Sequence, residues 1–442
     1  MLVFFENVLW LLVLIGVMIN FHELGHFWAA RYFDVKVEAF SFGFGTRLFG
    51  FRRGETDYRF SLLPLGGYVK MAGEQVNDEN ANDPRSVLSK PRWQRLIIAF
   101  AGPFMNVVLA VGVLTGVYMV KYQRISDADM EPVIGHVAAD SPAAKAGLQD
   151  GDRIVKLDGQ ANPTWEDVML KEQEGAFRSM RLTIERNGKR FDTAVTPTLS
   201  ERIGVGYAGW DERGDIQLVE VEPDRPAAIA GLKKGDVILS VNGQPIHSAG
   251  RLQELTKASG GKPVDIEYDR NGQRHVVSVQ PVFSKIDGQS RWFIGVVPQP
   301  KFSIITTRLS FPDAFTESLR QNGKNAMMIV QVLKGVLERR MSTKNLTGPI
   351  GIAQLSGEAA REGPSAFLLL MCVISLNLAI VNMLPIPIMD GGVILMLLVE
   401  MTMQRDLSIN VKEAMLKVGF VCIMLLVVFA IYNDISRLLP AG

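Results

Sequence analysis

The chain has 442 residues, 48% of them hydrophobic, with 47 Lys and Arg against 46 Asp and Glu. This balance leaves no global field to attract nucleic acid or another strongly charged partner, and a positive mean hydropathy points to a membrane protein with soluble parts. The two cysteines, Cys372 and Cys422, lie in separate apolar runs outside any C-x-x-C arrangement, so free buried thiols are expected, with no disulfide or cysteine metal site.

In chain order, the first apolar run covers residues 4 to 28 and continues into His-Glu-Leu-Gly-His at 22–26. It has no basic leader and no small-residue cleavage site, so residues 1–30 read as a retained membrane helix. Residues 31–95 carry eleven Lys or Arg, a bias that places this loop in the cytoplasm. A second span follows at 96–120, and the long segment after it is then extracytoplasmic.

That segment contains one pattern twice, Ser141 to Gly159 and Arg225 to Gly243, at an offset of 84 residues. The offset also carries Arg186-Asn187-Gly188 onto Arg270-Asn271-Gly272, both of which read as hairpin turns. Each copy has A-x-x-A-G-L-x-x-G-D-x-I, a short helix ending at glycine followed by a Gly-Asp turn into a strand. The pattern resembles bacterial envelope PDZ domains, with boundaries expected at 128–214 and 215–300. Their carboxylate-binding turns are expected at Ile203-Gly204-Val205 and Ile294-Gly295-Val296. Residues 301–363 read as a connecting region with an amphipathic helix near 313–341. The third span is expected at 364–392 with Asp390 at the end of its apolar run, then a cytoplasmic loop at 393–412 and a fourth span at 413–436.

On a helix His22 and His26 lie one turn apart on one face, so both imidazoles can reach one zinc ion with Glu23 beside them as a base. Zinc brings the pKa of a bound water to roughly 7, which suits hydrolysis at neutral pH. A Glu and two His at the end of an apolar span are costly unless they face a cavity or a metal. A catalytic zinc site needs a third protein ligand, and Asp390 is the other acid that stands out among the apolar runs. Counted as helix entering from outside, His22 lies about 33 Å deep and Asp390 about 36 Å deep, so one ion can join them. Two prolines, Pro385 and Pro387, preclude regular helix before Asp390, and broken backbone at membrane depth is tolerated where it lines a cavity.

His-Glu-Leu-Gly-His in the first span, Gly102-Pro103-x-x-Asn106 in the second, Asn382-Met383-Leu384-Pro385-Ile386-Pro387-Ile388-Met389-Asp390-Gly391-Gly392 in the third and the PDZ pair between them together resemble the site-2 protease family. The resemblance covers the whole chain in order. It implies a polytopic α-helical membrane protein with four transmembrane helices, membrane-reentrant β-structure within 31–95 and two tandem periplasmic PDZ domains. It implies Zn2+ on His22, His26 and Asp390, Glu23 as general base, and substrate contacts at Asn382, Pro385, Pro387, Gly66 and Gly67. It further implies a multi-pass protein of a bacterial inner membrane, with its active site near the cytoplasmic side. The implied activity is cleavage of single-span membrane proteins after a first extracytoplasmic cut. Anti-sigma factors and remnant signal peptides are the implied substrates, and the PDZ pair is an implied size filter. The alternative is a non-catalytic PDZ-bearing adaptor with a structural metal, against which an intact Glu23 argues.

Overall fold

The computed structural model describes residues 2–73, 83–126, 131–200, 204–286, 289–342 and 347–438. Among them, four helices are long and apolar enough to cross a membrane: Val3–Tyr32, Arg92–Val120, Pro364–Asn382 and Asn410–Ser436. The chain separates into two compact units. One comprises Met1–Tyr122, Thr307–Val330 and Leu346–Leu439, and the other Gln123–Thr306 and Gln331–Asn345, each taken over its described residues.

In the first unit, the first span packs on the second, and the second on the third. The join is tight because Gly25 brings the first span against the second, where a Cβ would lie 2.2 Å from Ala101 O. Leu14, Met18, Leu109, Phe367 and Met371 fill the space between these three helices. Buried polar groups at this junction make hydrogen bonds: Ser375 donates to Asn106 O at 2.9 Å, and the Thr115 hydroxyl meets that of Ser318, on helix Phe311–Leu337, at 2.8 Å. Cys372 is buried as expected, whereas Cys422 is on the exposed face of the fourth span.

Within 31–95 the expected β-structure is present as a sheet of strands Val37–Arg53 and Thr56–Met71 that fold back on themselves. Ala39–Phe42 pair with Gly67–Lys70 on one side and with Asp57–Phe60 on the other, so Gly67–Met71 lies at a sheet edge. Leu48, Phe49, Phe51, Leu62 and Leu63 are exposed, an apolar surface suited to lipid.

Three expectations from the sequence are corrected here. The third span ends at Asn382, residues 383–389 are irregular, and Asp390 starts a separate helix, Asp390–Met403, instead of ending a span. The depth of Asp390 therefore cannot be counted as continuous helical rise. Residues expected as the 393–412 loop are mostly helix as well, and buried Glu400 in that helix is held by Lys412 at 2.7 Å and by Leu407 N–H at 3.0 Å. The amphipathic helix is present at Phe311–Leu337, and a further helix, Pro349–Glu362, follows it. Asp434 on the fourth span accepts from Gly348, Ile350 and Gly351 N–H at 2.9 to 3.1 Å, which caps that further helix from outside its own sequence.

The second unit holds two copies of one module. In the first, strand Arg153–Leu157 pairs with Met180–Arg186, which pairs with Lys189–Val195; in the second, Val237–Val241, Val264–Arg270 and Gln273–Val279 repeat that order. The hairpin turns adopt positive φ at Asn187, Gly188, Asn271 and Gly272 as read from the sequence. Each Gly-Asp turn has the same lock, Asp152 held by Arg186 at 2.6 and 2.7 Å and Asp236 by Arg270 at 2.7 Å.

The third correction concerns the carboxylate-binding turns. Gly295 is matched by Gly209, not Gly204: Ala138 N–H donates to Gly209 O as Glu222 N–H does to Gly295 O, and Ala143 N–H to Ala208 O as Ala227 N–H does to Ile294 O. Gly204 instead lies in the tight turn between Thr198–Leu199 and Gly206–Tyr207, and Ile203 is outside the described residues.

Candidate metal centre

Gly16 to Gly25 form uninterrupted helix through the polar cluster of the first span, so His22 and His26 share one face. Their Nε2 atoms lie 3.2 Å apart. Asp390 closes the cluster, with Oδ2 3.1 Å from His22 Nε2 and Oδ1 3.4 Å from His26 Nε2. One ligand atom from each lies within 4.8 Å of the other two, which suits a single ion.

The sequence around Asp390 is what allows this approach. Its carboxylate occupies the first turn of a helix, where the macrodipole favours a negative charge. Gly391 and Gly392 let the 383–389 backbone fold over that turn. A Cβ at Gly391 would meet Leu384 O at 2.3 Å, and one at Gly392 would meet Ile386 O at 2.2 Å. The irregular segment that the two prolines predict is present, with Pro387 against Gly419 of the fourth span and Pro385 exposed. Asn382 ends the third span with its Nδ2 3.4 Å from His22 Nε2.

The remaining imidazole nitrogens are held from the second span. His26 Nδ1 lies 2.8 Å from Ile98 O, so it carries the proton and Nε2 presents its lone pair inward. Asn106 is wholly buried with its amide 3.1 Å from His22 Nδ1, and its Oδ1 has no partner. Turning that amide over places Oδ1 on the His22 N–H, the arrangement that a cation on Nε2 requires. Gly102 leaves the room, since a Cβ there would lie 2.2 Å from His26 Nε2 and 2.8 Å from His22 Nε2. Two imidazoles and a carboxylate, each oriented from behind, form a donor set that fits zinc.

Glu23 lies beside this cluster, and the edge of the sheet reaches it. Val69 N–H donates to Glu23 Oε2 at 3.0 Å, and a Cβ at Gly67 would be 3.7 Å from Glu23 Cγ. Gly66 and Gly67 are both buried, and Gly66 has a φ of 135°, a conformation open to glycine. The sequence reading did not assign Ile98, Gly102 or Asn106 a place around the metal, although the Gly102-Pro103-x-x-Asn106 pattern marked the segment.

Residues 10–426 match the family described as Peptidase family M50. The chain belongs to that family. Similar proteins include the regulator of sigma-E protease RseP of Salmonella typhimurium, 30% identical over 457 residues that span 98% of this chain and all of that one. The Escherichia coli protein of the same name is 30% identical over 99% of this chain and all of its own length. A Treponema pallidum protein named as a zinc metalloprotease is 33% identical over 96% of this chain and 98% of that one. Among solved structures, a PDZ domain of an SdrC-like protein from Listeria monocytogenes is 22% identical, covering 20% of this chain and 87% of its own, with a TM-score of 0.18. Members of the family are zinc metalloproteases, and this chain is a zinc-dependent membrane peptidase of the site-2 protease type.

Proposed function

We propose that the chain hydrolyses peptide bonds within the membrane segments of single-span proteins, after a first cut has removed their bulky extracytoplasmic part. The observation that carries this reading is the convergence of His22, His26 and Asp390, from two separate helices, beside Glu23. In this reading His22 Nε2, His26 Nε2 and one Asp390 oxygen hold the zinc ion, and Asn106 and Ile98 fix the two rings. Bound there, zinc supplies Lewis-acid activation of a water molecule near neutral pH. Glu23, steadied by Val69 N–H, takes the proton of the attacking water and returns it to the leaving amine.

A helical substrate hides its scissile amide, so it must unwind to react. The sheet edge at Gly66, Gly67 and Val69 lies beside Glu23 and can take an extended peptide by strand addition. Asn382 hydrogen-bonds the unwound backbone, and Pro385 and Pro387 keep the 383–389 segment from closing into a helix.

The basic residues of 31–95 favour an orientation with the metal end of the spans on the cytoplasmic side of a bacterial inner membrane and the PDZ pair in the periplasm. Likeness to the sigma-E regulators favours a membrane-bound anti-sigma factor as substrate, with remnant signal peptides as a second class. The PDZ pair acts as a size filter, and deletion of residues 130 to 285 then permits cleavage of uncut substrates; loss of all cleavage would make the pair a required receptor instead. The decisive experiment is cleavage of a co-expressed single-span substrate by wild type and Glu23→Gln, with and without a zinc chelator. Cleavage that survives both treatments sinks the protease reading.

A further inference from the structure

The two modules of the second unit differ at one buried acid. In the first, the helix Trp165–Glu174 runs beside the turn at Tyr207-Ala208-Gly209-Trp210, where Gly209 has a φ of 85°. The second repeats this with helix Ala249–Ala258 and Phe293-Ile294-Gly295-Val296, where Gly295 has a φ of 82°. The turns are equivalent even in their crowding: a Cβ at Gly209 would strike Ser141 Cβ and one at Gly295 would strike Arg225 Cβ, both at 2.2 Å. Such a turn presents backbone N–H groups that can capture a peptide's terminal carboxylate.

In the first module that place is taken by Glu172, the eighth residue of its helix. One carboxyl oxygen accepts from Ala208 N–H at 2.5 Å and the other from Trp210 Nε1–H at 2.8 Å. Glu172, Ala208 and Trp210 are all buried. The strand leading into the turn also lies directly on the helix, since a Cβ at Gly206 would be 2.0 Å from Glu172 O. The eighth residue of the second helix is Thr256, whose hydroxyl donates to Leu252 O within its own helix. Trp292 stands where Gly206 does, with its ring over Gly261.

We propose that Glu172 is a built-in occupant of the first module's turn, so that the second module alone accepts the free carboxylate of a peptide C-terminus. The inference rests on the reading of both modules as PDZ domains. Burial, the dominant influence, raises the Glu172 carboxyl to about 7, against the pull of its two N–H donors. Because burial raises this carboxyl, protonation favours the buried occupant, and deprotonation as pH rises through about 7 loosens its hold on the turn.

The test uses the full chain in detergent and a peptide pool degenerate in its last four residues, with a benzophenone photo-crosslinker upstream. A second pool carries C-terminal amides. Labelled residues are mapped by mass spectrometry. The wild type is expected to label near Phe293–Val296 with the free-carboxylate pool alone. Glu172→Ala, and Glu172→Gln to a lesser degree, add labelling near Tyr207–Trp210 by about tenfold or more, the ratio that follows from removing roughly 1.4 kcal/mol of internal competition. Labelling of the second module in the same sample reports that the unit is folded. Equal labelling of both modules in the wild type overturns the inference, as does an unlabelled first module in both variants. Carboxylate-dependent labelling of neither module in any variant overturns the inference together with the reading of the modules as peptide-binding PDZ domains.

Discussion

Gly102→Ala tests the metal centre through packing alone, because it removes no polar atom. The new Cβ would lie 2.2 Å from His26 Nε2, 2.6 Å from His26 Cε1 and 2.8 Å from His22 Nε2, whereas ordinary contact starts near 3.4 Å. The His26 ring must therefore retreat by about 1.2 Å. It has little freedom to do so, since its Nδ1 is held at 2.8 Å by Ile98 O, one turn away from Gly102 on the same helix. A displacement of about 1 Å at a reacting centre costs about 100-fold in rate, or about 2.7 kcal/mol. Overpacking of this kind lowers stability by about 1–3 kcal/mol. The expected result is substoichiometric zinc after dialysis against graded chelator, measured by elemental mass spectrometry. Cleavage of a single-span substrate falls by about 100-fold, with the fold retained. Gly116→Ala on the same helix, where an added Cβ meets nothing within 4 Å, leaves both measurements unchanged. Full zinc content and normal cleavage in Gly102→Ala would refute this account of the centre.

Asn106→Leu removes the acceptor for His22 Nδ1–H and is expected to weaken zinc binding by about 10–100-fold in chelator competition, with partial recovery in Asn106→Asp. Glu172 gives a pH signature. Its carboxyl is raised from 4.5 to about 7 in the folded chain, so its contribution to stability is full below 4.5 and is lost as pH rises through 7. Relative to Glu172→Gln, the wild type should gain up to about 3 kcal/mol between pH 8 and pH 4.5, read from hydrogen-exchange protection of strand Met180–Arg186. Asp434→Ala leaves three helix-start amides without their acceptor and should cost about 2–4 kcal/mol, seen as faster exchange across Pro349–Glu362.

How much of this was legible in the sequence depended on whether the signal was local. The four spans, the His22–His26 pair and both modules follow from periodicity, helical spacing and an 84-residue repeat, each contained within one stretch of chain. Asp390 was also recognisable as the third ligand of the cluster, because an acid among apolar residues needs a partner. Its setting was not recognisable. Pro385 and Pro387 mark an irregular stretch before Asp390, but nothing in the pattern says that a new helix starts there, and contacts at Gly391 and Gly392 show why the chain folds back to restart at Asp390. The first module's carboxylate-binding turn was misplaced for a related reason. The repeat holds at 84 residues up to the hairpins but shifts to 86 at Gly209 and Gly295, and the nearer Gly204 offers the same local pattern.

Gly102 and Asn106 illustrate what sequence spacing leaves out of a metal site. They lie about 80 residues from the histidines, and neither is a ligand type, so no spacing rule connects them to His22 and His26. Their role is visible only where the second span crosses the first, with one residue supplying absent volume and the other a buried amide. The ligands alone would define a place where zinc can bind. Crowding at Gly102 and the pinning of both Nδ1 atoms restrict that place to one geometry, with Glu23 held alongside by the sheet edge. Substitutions at Gly102 and Asn106 should therefore reduce cleavage while leaving all three ligand side chains and Glu23 unchanged.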